Sequence, residues 1–284
     1  MKEKVSAFLR GIDSEFIRKQ YFVNGYPESD AYSDPLMEDK HEVIKGLIHK
    51  YPNRALIKVS YECASHCRFC TRIRQIGSQE GRLNETDIEN IIDYLIQHPE
   101  IDDVILSGGD PLYTPIITQK LLAKIKAVET VKVMRIGTRM PFQSPVSFAS
   151  QLVSDLLNDI DQIGRIKPFY LLLHIEHPDE LTPETTAVIS RLRTLKVTLL
   201  AQTVFLKDIN DNFETLYTLF KRLYHLGVQP YYLYHCDQVK GLEHFHGDMV
   251  KEKEIAVKLR EHLSGIACPL FVEDIENGYG KVPV

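Results

Sequence analysis

The residues best suited to chemistry in this chain are three cysteines in one short loop, Tyr61-Glu62-Cys63-Ala64-Ser65-His66-Cys67-Arg68-Phe69-Cys70-Thr71-Arg72. Their spacing is CxxxCxxC, and they are three of the chain's five cysteines. Thiolates are soft ligands that suit iron–sulfur clusters and zinc. A [4Fe–4S] cluster held by three cysteines keeps one iron open, and an open iron is a reaction site rather than only an electron relay. Structural zinc needs a fourth ligand. His66 could supply it by composition, but it sits between two cysteines in a very short loop. Cys236 and Cys268 have no ligand-type cluster around them and read as small buried side chains.

Other positions offer weaker signals. Ser107-Gly108-Gly109-Asp110-Pro111 follows a strand-like run, and two glycines let backbone approach a ligand closely. An ordinary strand-to-helix turn has the same composition. Arg135-Ile136-Gly137-Thr138-Arg139 ends the next run, as a solvated basic turn or as a contact for a carboxylate or another anion. Asp237 follows Tyr231-Tyr232-Leu233-Tyr234-His235-Cys236, and Asp274 follows the last apolar run. Two acids at strand ends could hold a cationic group together. His244 and His246 flank Phe245 and are expected to line a loop rather than bind metal.

These residues need a scaffold that gathers strand ends. From Leu56 onward the sequence alternates short β-rich runs with amphipathic stretches. Strands are expected at 56–60, 103–106, 131–136, 169–174, 197–205 and 228–234, with a last short one at 270–273. Helices are expected at 86–98 with Thr86 as N-cap, then around 121–128, 147–157, 183–195, 213–226 and 249–263. The 86–98 stripe is Ile88, Ile91, Ile92, Leu95 and Ile96. Six strand–helix units predict a parallel sheet with ligands at the strands' C-terminal ends. The fold expected is α/β, an open, partial (β/α)6 barrel over 51–284. Residues 1–50 are expected to form a short helical extension, interrupted by turns at Tyr26 to Asp30 and at Asp34-Pro35.

The chain has 284 residues, 44% of them hydrophobic, enough for one large core. Net charge is −5 with both signs interspersed, which argues against a broad nucleic-acid-binding face. Neither a signal peptide nor a membrane span is expected. An odd cysteine count with three in one motif fits a reducing cytoplasm.

In combination these motifs resemble the radical SAM superfamily, and more specifically the lysine 2,3-aminomutase family of pyridoxal-phosphate-dependent radical SAM enzymes. The resemblance runs from about Asp34 to Val284. It rests on Tyr51-Pro52-Asn53-Arg54, the cysteine loop, Ser107 to Pro111, His174 with His177-Pro178, Gln202-Thr203-Val204, Asn210-Asp211, Tyr231 to Tyr234 and Gly280-Lys281-Val282-Pro283, in the family's order. It implies that Cys63, Cys67 and Cys70 bind a [4Fe–4S] cluster whose open iron takes S-adenosylmethionine. Gly108, Gly109 and Gln202 then lie near S-adenosylmethionine. Lys281 carries pyridoxal phosphate as a Schiff base, with Arg54 and Tyr234 near that cofactor. Arg72 binds the substrate carboxylate, and Asp237 with Asp274 holds the distal ammonium of lysine.

The reaction implied is a 1,2-shift of the α-amino group of L-lysine to C3, giving β-lysine, started by a 5′-deoxyadenosyl radical. Arginine, ornithine or glutamate as substrate, β-lysine supply for modifying translation elongation factor P, and a radical SAM protein without pyridoxal phosphate chemistry are the alternatives. The resemblance also implies an electron donor such as flavodoxin or ferredoxin, and leaves room for a homo-oligomer. Two departures stand out. His174-Ile175-Glu176-His177-Pro178 carries Glu where the family has Asn. The sequence ends three residues after Lys281, where longer members continue into a zinc-binding tail, and Asn212 stands where those members have cysteine. No structural zinc and a different assembly are therefore expected.

Overall fold

Apolar runs separated by polar, helix-forming stretches become a single sheet with helices on its outside. The computed structural model describes residues 3–22, 33–275 and 280–284. The turn expected at Tyr26 to Asp30 and the Gly278-Tyr279 pair lie outside them. Residues 1–50, expected to be helical, hold α1 (Ala7–Arg10), α2 (Glu15–Tyr21) and α3 (Glu38–His41), but also strand β1 (Glu42–Ile44) and, with Tyr51, β2 (Leu47–Tyr51). Those two strands pair antiparallel across Lys45-Gly46. Gly46 has φ +81°, a left-handed backbone that glycine adopts without steric cost.

The βα units follow in order: β3 (Arg54–Ser60), α4 (Glu85–Gln97), β4 (Asp103–Gly108), α5 (Pro115–Ile125), β5 (Val133–Thr138), α6 (Met140–Gln143), α7 (Gln151–Gly164), β6 (Phe169–His174), α8 (Pro183–Leu192), β7 (Thr198–Val204), α9 (Phe213–His225), β8 (Gln229–Tyr234), α10 (Met249–His262), β9 (Leu270–Ile275) and β10 (Gly280–Pro283). The sheet runs β1 to β10 in sequence order. Strands β3 to β9 are parallel, and β10 turns back antiparallel onto β9. This is the partial, open TIM-like barrel expected, with six βα units and a seventh parallel strand.

Local chemistry corrects several boundaries. The N-cap of α4 is Asn84, not Thr86. Its side chain accepts the Asp87 N–H while Asp87 caps back onto Asn84, a reciprocal pair that Thr86 cannot make. Ile96 is 59% exposed, because a helical rotation places it about 80° from Ile88. The stretch expected as one helix at 147–157 is a 3₁₀ turn, Pro145–Ala149, followed by α7 capped by Ser150.

The core lies between strands and helices. Ile57, Val104, Ile136 and Leu171 of the sheet pack with Ile91, Leu122, Leu156 and Leu219 of the helices, all fully buried. Burying each such side chain stabilises the fold by about 1.5–3 kcal/mol. Among the described residues no helix is long and apolar enough to cross a membrane.

Candidate active site

The C-terminal ends of the parallel strands open into a cavity of about 540 Å³. Every residue singled out for a site role lines it: Arg54, Cys63, Cys67, Cys70, Arg72, Gly108, Gly109, Gln202, Tyr234, Asp237, Asp274 and Lys281. The cysteine loop, Gly108, Gly109, Gln202, Tyr234 and Asp237 gather because parallel strands present their C-terminal ends on one side, whereas Arg54 comes from the start of β3 and Lys281 from the antiparallel β10.

The cysteine loop leaves β3. The N-terminal segment straps it down: His66 N–H donates to the Lys4 carbonyl at 2.8 Å and Arg68 N–H to the Gln20 carbonyl at 2.9 Å. Lys4 Nζ donates to the Cys63 carbonyl at 2.5 Å, and Ser6 N–H to Ser65 Oγ at 2.9 Å. Gln143, from α6, donates through Nε2 to the Cys67 sulfur at 3.2 Å, while its Oε1 accepts the Ser65 N–H. These supporting residues had no signal in the sequence. Burial pushes all three thiols up, Cys63 strongly and Cys67 to about 12. The negative charge of Asp110, Cys70 and Cys67 adds to the effect at Cys63.

Gly108 and Gly109 have an immediate packing reason. Gly108 has φ +103°, and a Cβ there would meet the Ser60 carbonyl at 2.6 Å; one on Gly109 would meet the Glu62 carbonyl at 2.3 Å. The close approach lets Gly109 N–H bond Ser60 O and Asp110 N–H bond Glu62 O, joining the end of β4 to the cysteine loop. Asp110 accepts the Thr138 hydroxyl and the backbone N–H groups of Leu112, Arg139 and Met140, at 2.8–3.0 Å. The motif therefore ties together the ends of β3, β4 and β5.

Three charged positions have partners that the sequence did not show. The resemblance gives Arg72 the substrate carboxylate. Arg72 Nε and Nη2 donate to Glu38 Oε2 and Oε1, at 2.7 and 2.5 Å, and Nη1 donates to Ser107 Oγ at 3.3 Å. Burial works against both charges, but each holds the other: Arg72 is kept well up and Glu38 below the usual carboxylate range. Nη1 also reaches the Gly108 carbonyl at 3.5 Å, so the second N–H of Nη2 is the part of Arg72 left to meet a ligand without displacing a partner. Arg139, read as a basic turn, is buried and donates to Glu176 at 3.1 Å, Glu180 at 2.7 Å and Gln20 at 3.1 Å, so its charge is spent inside the protein. Glu176 is fully buried and held by partners there: Oε1 also stands 2.6 Å from His174 Nε2, and Oε2 accepts the Val204 N–H at 2.7 Å. It does not line the cavity.

Lys281 Nζ donates to Asp274 Oδ2 at 3.0 Å. The other oxygen, Asp274 Oδ1, is buried with no hydrogen-bond partner among the described residues. Asp237 is pushed up to about 7, by burial first and by the charge of Asp274 second, with Lys281 opposing. Gln202 donates to the Tyr234 hydroxyl at 2.9 Å. Arg54 stacks on the Tyr51 ring at 4.0 Å. Cys236 and Cys268 are buried, Cys236 among Leu206, Val239 and Phe245. Asn212 caps α9, accepting the Thr215 N–H.

The sequence matches the Radical SAM superfamily over residues 57–221. Relatives include the L-lysine 2,3-aminomutases of Fusobacterium nucleatum (38% identical, covering 94% of this chain and 62% of that protein), Clostridium subterminale (37%, 88% and 59%) and Escherichia coli (37%, 89% and 72%). The chain thus spans less than two thirds of the first two. A radical SAM methyltransferase from Sphaerobacter thermophilus shares the fold, with TM-score 0.54 at 16% identity over 80% of this chain and 68% of that one. The chain belongs to the radical SAM superfamily and, within it, to the lysine 2,3-aminomutase family. That family brings a [4Fe–4S] cluster, S-adenosylmethionine and pyridoxal phosphate.

The residues present fit these groups. Among the described residues no three His, Cys, Asp or Glu side chains are placed to hold a single metal ion. Cys63, Cys67 and Cys70 line one cavity and bear on one another electrostatically, and three thiolates are a donor set suited to a [4Fe–4S] cluster. Buried thiols that resist ionisation on their own are deprotonated by coordination. Lys281 brings an amine to the same cavity, next to an acceptor.

Proposed function

We propose that this chain is a radical SAM, pyridoxal-phosphate-dependent 2,3-aminomutase that moves the α-amino group of L-lysine to C3. The observation that carries this is one cavity lined by the three cysteines, by the Lys281 amine and by the Asp237–Asp274 pair. When bound, the cluster with S-adenosylmethionine supplies a carbon radical, and pyridoxal phosphate delocalises the spin while nitrogen migrates. The chain's own residues bind and orient. Cys63, Cys67 and Cys70 hold the cluster. Gly108, Gly109 and Gln202 border S-adenosylmethionine, and Arg54 and Tyr234 border pyridoxal phosphate. Arg72 holds the substrate carboxylate, and Asp237 with Asp274 holds the distal ammonium. Asp274 already takes an ammonium, that of Lys281, and its unpartnered Oδ1 is suited to another donor. An acidic substrate would meet repulsion there. A cytoplasmic setting, a low-potential donor such as flavodoxin or ferredoxin, and self-association fit this reading.

Lys281→Ala tests it. The variant is expected to lose the visible absorbance band of protein-bound pyridoxal phosphate and all lysine turnover, while keeping its iron and cleaving S-adenosylmethionine on reduction. An unchanged band would remove Lys281 from this role.

Glu38 is the residue that sequence reasoning missed on the substrate side. Its grip fixes the plane of the Arg72 guanidinium, so Glu38→Gln loses one charge-assisted bond, worth about 1.5–3 kcal/mol. A rise in KM of roughly tenfold or more is expected, with the pyridoxal phosphate absorbance unchanged. Steady-state kinetics under anaerobic conditions checks this, and a lowered KM would mean that Glu38 competes with substrate.

A further inference from the structure

The N-terminal strap buries one hydroxyl, that of Tyr21, beside the Cys67 sulfur. The Tyr21 hydroxyl is fully buried and meets no partner at full hydrogen-bond geometry among the described residues, yet it lies close enough to the Cys67 sulfur and the Gln143 side chain to interact with both. A buried hydroxyl short of a full hydrogen bond is unfavourable in a fold. Tyr21 packs with Leu9 and Ile17 against Cys67, beside the Gln143 amide that donates to the Cys67 sulfur at 3.2 Å. The Arg139 guanidinium lies 5.7 Å from the Tyr21 ring centre and 4.9 Å from that of Phe69 in the cysteine loop. The backbone holds this arrangement firmly, since the Gln20 carbonyl accepts the Arg68 N–H.

We propose that Tyr21 and Gln143 both donate hydrogen bonds to the Cys67 thiolate when it ligates the cluster, and thereby raise the cluster's reduction potential. The inference rests on the cluster reading of the three cysteines. Reduction adds one electron to the cluster, from the 2+ to the 1+ level, taken from a low-potential one-electron donor. The added charge spreads onto the ligating sulfurs. Donors aimed at sulfur stabilise the more negative level more, so the potential rises. Burial strengthens each bond, because water does not compete at this site. Tyr21 is thus a positioning residue carried by a segment outside the matched residues 57–221. It makes the N-terminal strap part of the redox centre rather than a cover for it.

The test is potentiometry on anaerobically reconstituted full-length protein, following the paramagnetic signal of the reduced cluster. Tyr21→Phe removes one oxygen and no packing. It is expected to keep wild-type iron content, to shift the midpoint to a more negative potential, and to melt as apoprotein no earlier than wild type. Gln143→Met is expected to shift the midpoint in the same direction. An iron-replete Tyr21→Phe protein with the wild-type midpoint, or a more positive one, would overturn the inference. Wild-type protein that takes up no iron would instead overturn the cluster reading itself.

Discussion

Cys67→Ala protein is expected to cleave no S-adenosylmethionine when reduced, and to hold far less iron than wild type. The wild-type chain should carry about four irons after anaerobic reconstitution, by the logic of one cluster and three thiolates. Cys67 has polar and apolar support, with Gln143 donating to its sulfur and the strap packed on it. Alanine there leaves two protein ligands and a donor without an acceptor. Cys63→Ala and Cys70→Ala are expected to behave alike, because all three thiols line one cavity. Cys268→Ala is the internal control: its thiol is buried against the core, outside that cavity, and iron content should stay at the wild-type level. Iron analysis and product chromatography read both quantities. Full cleavage by Cys67→Ala would remove that residue from the ligand set.

The parts of this molecule legible in its sequence are those set by local pattern and topology. The β-rich runs ending at Ser60, Gly108, Thr138, His174, Val204 and Tyr234 could be recognised one at a time, and a parallel sheet then places their ends together without further information. The two aspartates showed as acids at strand ends and Lys281 came from a resemblance, and all three line the same cavity. Contacts made by chain closure left no local trace. Glu38 reaches Arg72 across 34 positions, and Lys4 reaches the Cys63 carbonyl across 59. Arg139 looked like a solvated basic turn because its partners, Gln20, Glu176 and Glu180, come from other elements. The hairpin at 42–51 was hidden by the charged run Glu38 to Glu42 before it, while its actual signal is only the Lys45-Gly46 turn between Ile44 and Leu47.

Asp274→Asn is expected to cut lysine turnover severely while leaving iron and pyridoxal phosphate bound, and Asp237→Asn to do so with a change in pH dependence as well. Breaking a buried pair of opposite charges costs roughly 2–5 kcal/mol, which corresponds to a loss of about 30-fold to several-thousand-fold. The pH behaviour follows from Asp237, whose carboxyl is pushed up to about 7 in the folded protein by burial and by Asp274. Only its ionised form attracts an ammonium. Lysine binding below that pH must release a proton, so the wild-type KM should fall as pH rises and level off above about 7. Asp237→Asn should show a high KM with this dependence removed. Stability should move the opposite way. The folded carboxyl keeps its proton up to about 7, whereas an unfolded aspartate loses it near about 3.9. Its contribution to stability is full below the unfolded value and is lost as pH rises through the folded one. Asn suffers no such loss, so the melting temperature of Asp237→Asn relative to wild type should be higher at pH 8 than at pH 5. Kinetics on lysine, arginine, ornithine and glutamate, with thermal melts at both pH values, measure the two effects on the same protein. Glutamate as the preferred substrate, or lysine turnover indifferent to both aspartates, would refute the cation-binding role of the pair.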